Sequence, residues 1–105
     1  MINFEECNQL KLYKSEQELC AVLELISDKI EFKGYDIQEI VLLVKEMLEI
    51  NILSLNYVAR EQLLSTLCDA VSHYDIQKTI NWDKLLMIKN KVEDDLKEYI
   101  EDFFV

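Results

Sequence analysis

Proline is absent from this chain and glycine occurs once, at Gly34. Hairpins and irregular loops draw on those two residues, because glycine reaches positive φ without penalty and proline presets a turn. Over 105 residues their scarcity leaves long helices as the main way to satisfy the backbone, and hydrophobic spacing says where they run. Ser15 and Glu18 have the spacing of a capping box, after which Leu19, Val22, Leu23, Ile26 and Ile30 recur at helical intervals. Gly34 is placed to end this helix, over about 16–32, in the left-handed conformation. Asp36 with Glu39 opens a second helix, over about 36–50, whose apolar set Ile37, Ile40, Val41, Val44, Met47 and Leu48 is widened by Leu42 and Leu43.

Asn51, Ser54 and Asn56 then interrupt the pattern, and either of the last two can cap a third helix over 57–73, with Leu63, Leu64, Leu67, Cys68, Ala70 and Val71 facing inward. A polar link over 75–81 leads to a fourth helix over 82–103, capped by Asn81, whose stripe is Leu85, Ile88, Val92, Leu96, Tyr99 and Phe103. Near the N-terminus Leu10 and Leu12 alternate with polar residues as in a strand, but a lone strand has nothing to pair with, so a short helix or an extended arm fits equally well. The expected fold is all-α: a single domain over 1–105, built as a compact antiparallel bundle of about four helices with an N-terminal arm or short helix.

Charge narrows the function. Eleven basic against 21 acidic side chains give a net charge of −10, which opposes binding to nucleic-acid phosphates or an anionic membrane and makes a basic protein surface the natural complement. Charge of this sign also serves solubility. Its distribution is more specific. On a continuous helix over 82–103, Glu93, Asp94, Asp95, Glu98, Glu101 and Asp102 crowd the C-terminal half against one lysine, Lys97. The macrodipole is negative there, so each carboxylate costs a few tenths of a kcal/mol, roughly, and like-charge pairs four apart add similar amounts. A feature that works against stability points to function. At about 100° per residue, Asp94, Glu98 and Glu101 lie opposite the apolar stripe, with Asp95 and Asp102 at its edge.

Large aromatics beside carboxylates suit an interface with a basic partner, which adds Trp82, at the helix entrance, and Phe104, off the inner stripe. Packing of Trp82 into the end of the bundle is the competing reading. The candidate partner-binding set is therefore Asp94, Asp95, Glu98, Glu101, Asp102, Trp82 and Phe104.

Catalytic parts are scarce. His73 is the sole histidine, and no spacing of cysteine, serine or aspartate around it supports a zinc site or a triad; at a helix end it is expected to meet the C-terminal dipole or a loop group. One glycine cannot make a phosphate-binding loop. Asp94, Asp95 and Glu98 lack the loop and carbonyl ligands that usually complete a hard-cation cage. No enzyme activity, cofactor or metal is expected. Three cysteines, Cys7, Cys20 and Cys68, make an odd count suited to a reducing cytoplasm, with Cys20 and Cys68 acting as small buried hydrophobes. The first ten residues lack the pattern of a secretion signal and no apolar run is long enough to span a membrane, so a cytoplasmic location is expected.

In size, all-helical pattern and the acidic segment from Val92 to Asp102, the chain resembles the small acidic immunity proteins of bacterial toxin systems, including contact-dependent growth inhibition and related polymorphic toxins. The charge excess points to a basic, nucleic-acid-cleaving target, and the resemblance implies tight, specific neutralisation of one cognate toxin in the cytoplasm of the producing or a neighbouring cell; it transfers no individual residue. Two other classes compete. A phage-type inhibitor imitating nucleic acid would spread its carboxylates in rows over several helices. A helical adaptor would leave the acids solvated and dock, or self-associate, through Leu42, Leu43, Leu86 and Met87.

Overall fold

The computed structural model describes residues 5–104, which contain six α-helices and no strand. The question left open near the N-terminus resolves as a short helix, α1 (Glu5–Leu12); residues 1–4 lie outside the described residues. Side-chain acceptors start the next three helices. Ser15 Oγ accepts the Glu18 amide at 3.1 Å and begins α2 (Glu16–Glu31), while the Glu18 carboxylate turns back to the Lys14 amide at 3.3 Å, one residue short of a full capping box. Asp36 and Glu39 complete theirs, at 2.8 and 3.0 Å, and begin α3 (Ile37–Leu48). After a 3-10 turn at Ile52–Ser54, Asn56 rather than Ser54 caps α4 (Tyr57–His73) by accepting the Ala59 amide at 2.9 Å.

Gly34 does not play the part its identity suggests. The left-handed residue after α2 is Lys33, with φ 52°, and no glycine has positive φ. The Lys33 amide reaches the Ile30 carbonyl at 2.9 Å and the Gly34 amide reaches that of Lys29 at 2.8 Å, which is the paired bonding of a Schellman motif. Gly34 supplies room: a Cβ there would stand 3.2 Å from the Lys29 carbonyl oxygen.

The longest helices, α2 and α4, pack on each other through Leu19, Leu23, Ile26, Leu63, Leu64 and Leu67, all fully buried; α3 closes one side with Ile40, Leu43 and Met47. Leu43 is thus core and unavailable for the docking surface anticipated from the sequence, whereas Leu42, Leu86 and Met87 are exposed. Helix α1 rests on α2 and α3. It inserts Leu10 and the carboxylate of Glu6, which accepts hydrogen bonds from Lys29 at 2.9 Å and from the Tyr35 hydroxyl at 2.8 Å. The Tyr74 hydroxyl, at the end of α4, completes the clasp by donating to the Tyr35 carbonyl at 2.8 Å.

The last quarter departs furthest from expectation. In place of one helix over 82–103 the chain forms α5 (Asp83–Ile88), a 3-10 turn at Lys89–Lys91, an extended pair Val92 and Glu93 with ψ of 168° and 150°, α6 (Asp94–Glu101), and a 3-10 turn at Asp102–Phe104. On a straight helix Trp82 and Phe103 would be roughly 30 Å apart at 1.5 Å per residue. Their ring centroids are instead 4.6 Å apart, so the segment folds back on itself. Tertiary contacts impose the reversal. Trp82 Nε1 donates to the Gln77 carbonyl at 2.8 Å, and the Gln77 side-chain amide donates to the Phe103 carbonyl at 2.6 Å. Arg60, the sole arginine, bonds the carbonyls of Ile52, Leu53 and Leu55 and holds Glu93 at 2.6 Å, at the N-cap position of α6. Asn81 caps as expected in chemistry but from one residue earlier, accepting the Asp83 amide at 2.9 Å. Among the described residues no helix is long and apolar enough to cross a membrane.

Candidate functional site: an acidic groove between two helices

The break at Val92 and Glu93 changes the electrostatic argument, because it puts Glu93, Asp94 and Asp95 at the start of a helix instead of near its end. Carboxylates there complement the macrodipole. For these three the apparent violation disappears. It persists for Glu98, Glu101 and Asp102, which occupy the last turn of α6 and the 3-10 turn beyond it.

The reversal also sorts the acids into two sets. Asp94 pairs with Lys97 at 3.0 Å and Glu101 with Lys89 at 3.5 Å. Asp95, Glu98 and Asp102 stand three, four and seven residues apart, on one face of the helix, and that face turns toward α4. Together with Glu61 of α4 and the half-buried Tyr99 they line a groove of about 260 Å³ with no basic side chain in its wall. Asp95 accepts a hydrogen bond from the Tyr57 hydroxyl, which orients the carboxylate without cancelling its charge.

Three neighbouring groups register this concentration of charge. The Tyr57 hydroxyl is pushed up to about 12, chiefly by its bond to Asp95. Burial raises Tyr99 first, with Glu61 contributing next. Cys68, whose thiol donates to the Tyr99 carbonyl at 3.5 Å, is pushed up to about 12 by burial and then by Asp102 and Asp69. All three therefore stay neutral at physiological pH, which keeps Cys68 in its weakly reactive thiol form.

Of the seven residues anticipated from the sequence, the structure gathers Asp95, Glu98 and Asp102 in the groove and leaves Asp94 and Glu101 outside it with lysine partners. Phe104 is exposed beside the end of α6. Trp82 is not available to a partner: it is 6 % exposed and stacked on Phe103, so the core-packing alternative holds. Glu61 and Tyr57 were missed, since nothing in the spacing of α4 says which helix its outer face meets. His73 ends α4 with a ring nitrogen 2.9 Å from the Asp69 carbonyl, as a helix-end histidine should. No group of three or more candidate ligands among the described residues is arranged to hold a metal ion. The three cysteines are unbridged and only partly buried, less enclosed than expected for Cys20 and Cys68. Comparison with models of protein families, with curated proteins and with solved structures gave no match.

Proposed function

We propose that this protein is a binding inhibitor that neutralises a basic protein, in the manner of an immunity protein acting on a cognate nucleic-acid-cleaving toxin in the cytoplasm. The observation that carries the reading is the division of acids on and just past α6: Asp94 and Glu101 on its outer side have lysine partners, while among the described residues Asp95, Glu98 and Asp102, which share a groove with Glu61 of α4, have none. Such a groove draws a cationic surface in by long-range attraction, then pairs with the lysines and arginines its target would use for phosphates. Inhibition follows from occupancy, and no bond in either protein changes.

Co-expression tests the proposal. Cells making a basic nuclease domain captured as the binding partner of this protein should survive with the wild-type protein and die with the Glu61→Gln, Glu98→Gln, Asp102→Asn variant. Equal protection by both proteins, or protection by neither, contradicts it.

A further inference from the structure

A second groove, of about 470 Å³, runs between α2 and α4 on the other flank of the same α4 surface. Its wall is predominantly apolar, with Cys20 and Ala21 from α2 and Val58 from the first turn of α4, and it carries the carboxylates Glu16 and Glu24. Val58 is 66 % exposed, so its apolar side chain is open to a partner along this wall. Burial, reinforced by Glu16, raises the Cys20 thiol, so it serves here as apolar wall and not as a reactive group.

Val58 and Gln62 of α4 line the apolar groove and Glu61 of the same helix lines the acidic one, so α4 contributes to both walls. Neither wall contains a lysine or arginine. Glu16 is fixed by the Asn56 backbone and side-chain amides, neutral donors that position its charge without offsetting it. From this juxtaposition we infer that the groove between α2 and α4 receives an apolar side chain of the basic partner, while lysines or arginines on either side of it meet Glu16 and Glu24 on one flank and Glu61, Glu98 and Asp102 on the other. The inference rests on the inhibitor reading and adds to it. The acidic groove gives attraction and the apolar groove gives a shape that excludes merely basic proteins, since area removed from water, unlike surface charge pairing, is little weakened by salt.

The probe is a short synthetic peptide with one leucine flanked by arginines, compared with the same peptide carrying serine for leucine, titrated into the isotope-labelled intact protein with amide shifts followed by NMR. The leucine peptide should move the amides of Cys20, Ala21, Val58 and Gln62 and bind about tenfold or more tightly than the serine peptide, as burial of one leucine side chain requires. Val58→Asn, an exposed substitution that leaves the helix intact, should abolish the leucine advantage without changing affinity for the serine peptide. Equal binding of the two peptides with shifts confined to Asp95, Glu98 and Asp102 would overturn the inference and leave the inhibitor reading standing. Shifts centred on Leu86 and Met87, or no binding of either peptide, would overturn the inference as well, and the latter would count against the acidic groove too.

Discussion

Carboxylates that fasten helices and carboxylates that line the groove do opposite work in this molecule. Glu6 of α1 is almost fully enclosed and accepts from Lys29 and Tyr35; Glu93, ahead of α6, is held by Arg60. Each fastens a short helix to the body. Glu98 and Asp102, only a few residues beyond Glu93, have neither an ion pair nor a hydrogen bond among the described residues, and they share their groove with Asp95 and Glu61. The contrast teaches that net charge is a poor measure of available charge. The few cations of the chain are spent partly on fold-holding acids, and the groove beside α6 is one place where several unmatched acids share a wall.

Breaking the Arg60 contact should produce the largest effect on this contrast. Arg60→Ala leaves three carbonyls of the turn over 52–55 and the Glu93 carboxylate without their donor, which should lower unfolding free energy by about 2–3 kcal/mol in denaturant melts. Arg60→Lys should recover only part of it, because an ammonium cannot reproduce the guanidinium fork. A loss within a few tenths of a kcal/mol, roughly the effect of an ordinary surface substitution, would mean that Glu93 belongs with the spare acids.

Glu6→Gln comes next, with an expected loss of about 1–2 kcal/mol at neutral pH from the weakened bonds to Lys29 and Tyr35. Its pH dependence separates charge from packing. Burial pushes the Glu6 carboxyl up, but the hydrogen bonds from Lys29 and Tyr35 and the charge of Lys29 outweigh it, and the group ends below its ordinary value of 4.5. A carboxyl depressed in the folded state binds its proton more readily when unfolded, so its stabilisation is complete above the ordinary value and is lost as the pH falls through the lowered one. The stability difference between wild type and Glu6→Gln should therefore be constant near neutrality and close toward zero in acid. A difference that persists in acid would assign the effect to shape alone.

The smallest effect has the opposite sign. Glu98→Gln with Asp102→Asn removes a like-charge pair at four-residue spacing and eases the remaining groove acids, and it should stabilise the protein by about 0.2–0.5 kcal/mol. Asp94→Asn with Glu101→Gln, which breaks two lysine pairs, should be neutral or slightly destabilising, by about 0.2–1 kcal/mol for each exposed pair. Thermal melts at low and high salt distinguish the two variants, because screening removes both effects. Identical behaviour of the two would erase the distinction between matched and unmatched acids.

Much of this architecture was legible in the chain, and its limits are physical. Helices α2, α3 and α4 were readable because each carries a side-chain cap and an apolar stripe in phase along its whole length. The final quarter misled because Leu85, Ile88, Val92, Leu96 and Phe103 keep helical phase across the break, and periodicity alone cannot reveal that Trp82 and Phe103 meet. A local signal was present. Lys89 and Lys91 followed by Glu93, Asp94 and Asp95 is the basic end of one helix and the acidic start of the next. Gly34 misled for a different reason: its lack of a side chain serves a close approach to Lys29, while Lys33 takes the left-handed turn. In the groove, the spacing alone sets Glu98 with Asp94 and Glu101, whereas the packing of α4 on α6 sets it with Asp95 and Asp102 and brings in Glu61.

The proposal that unmatched groove acids recruit a cationic protein is tested most directly by stopped-flow association with a basic protein captured as its partner, across a range of ionic strength. Wild-type rates should fall steeply with salt; Glu61→Gln, Glu98→Gln, Asp102→Asn should associate about tenfold or more slowly at low salt and respond weakly to it, while Asp94→Asn, Glu101→Gln stays near wild type. Indistinguishable rates for the groove variant and the wild type would contradict the account.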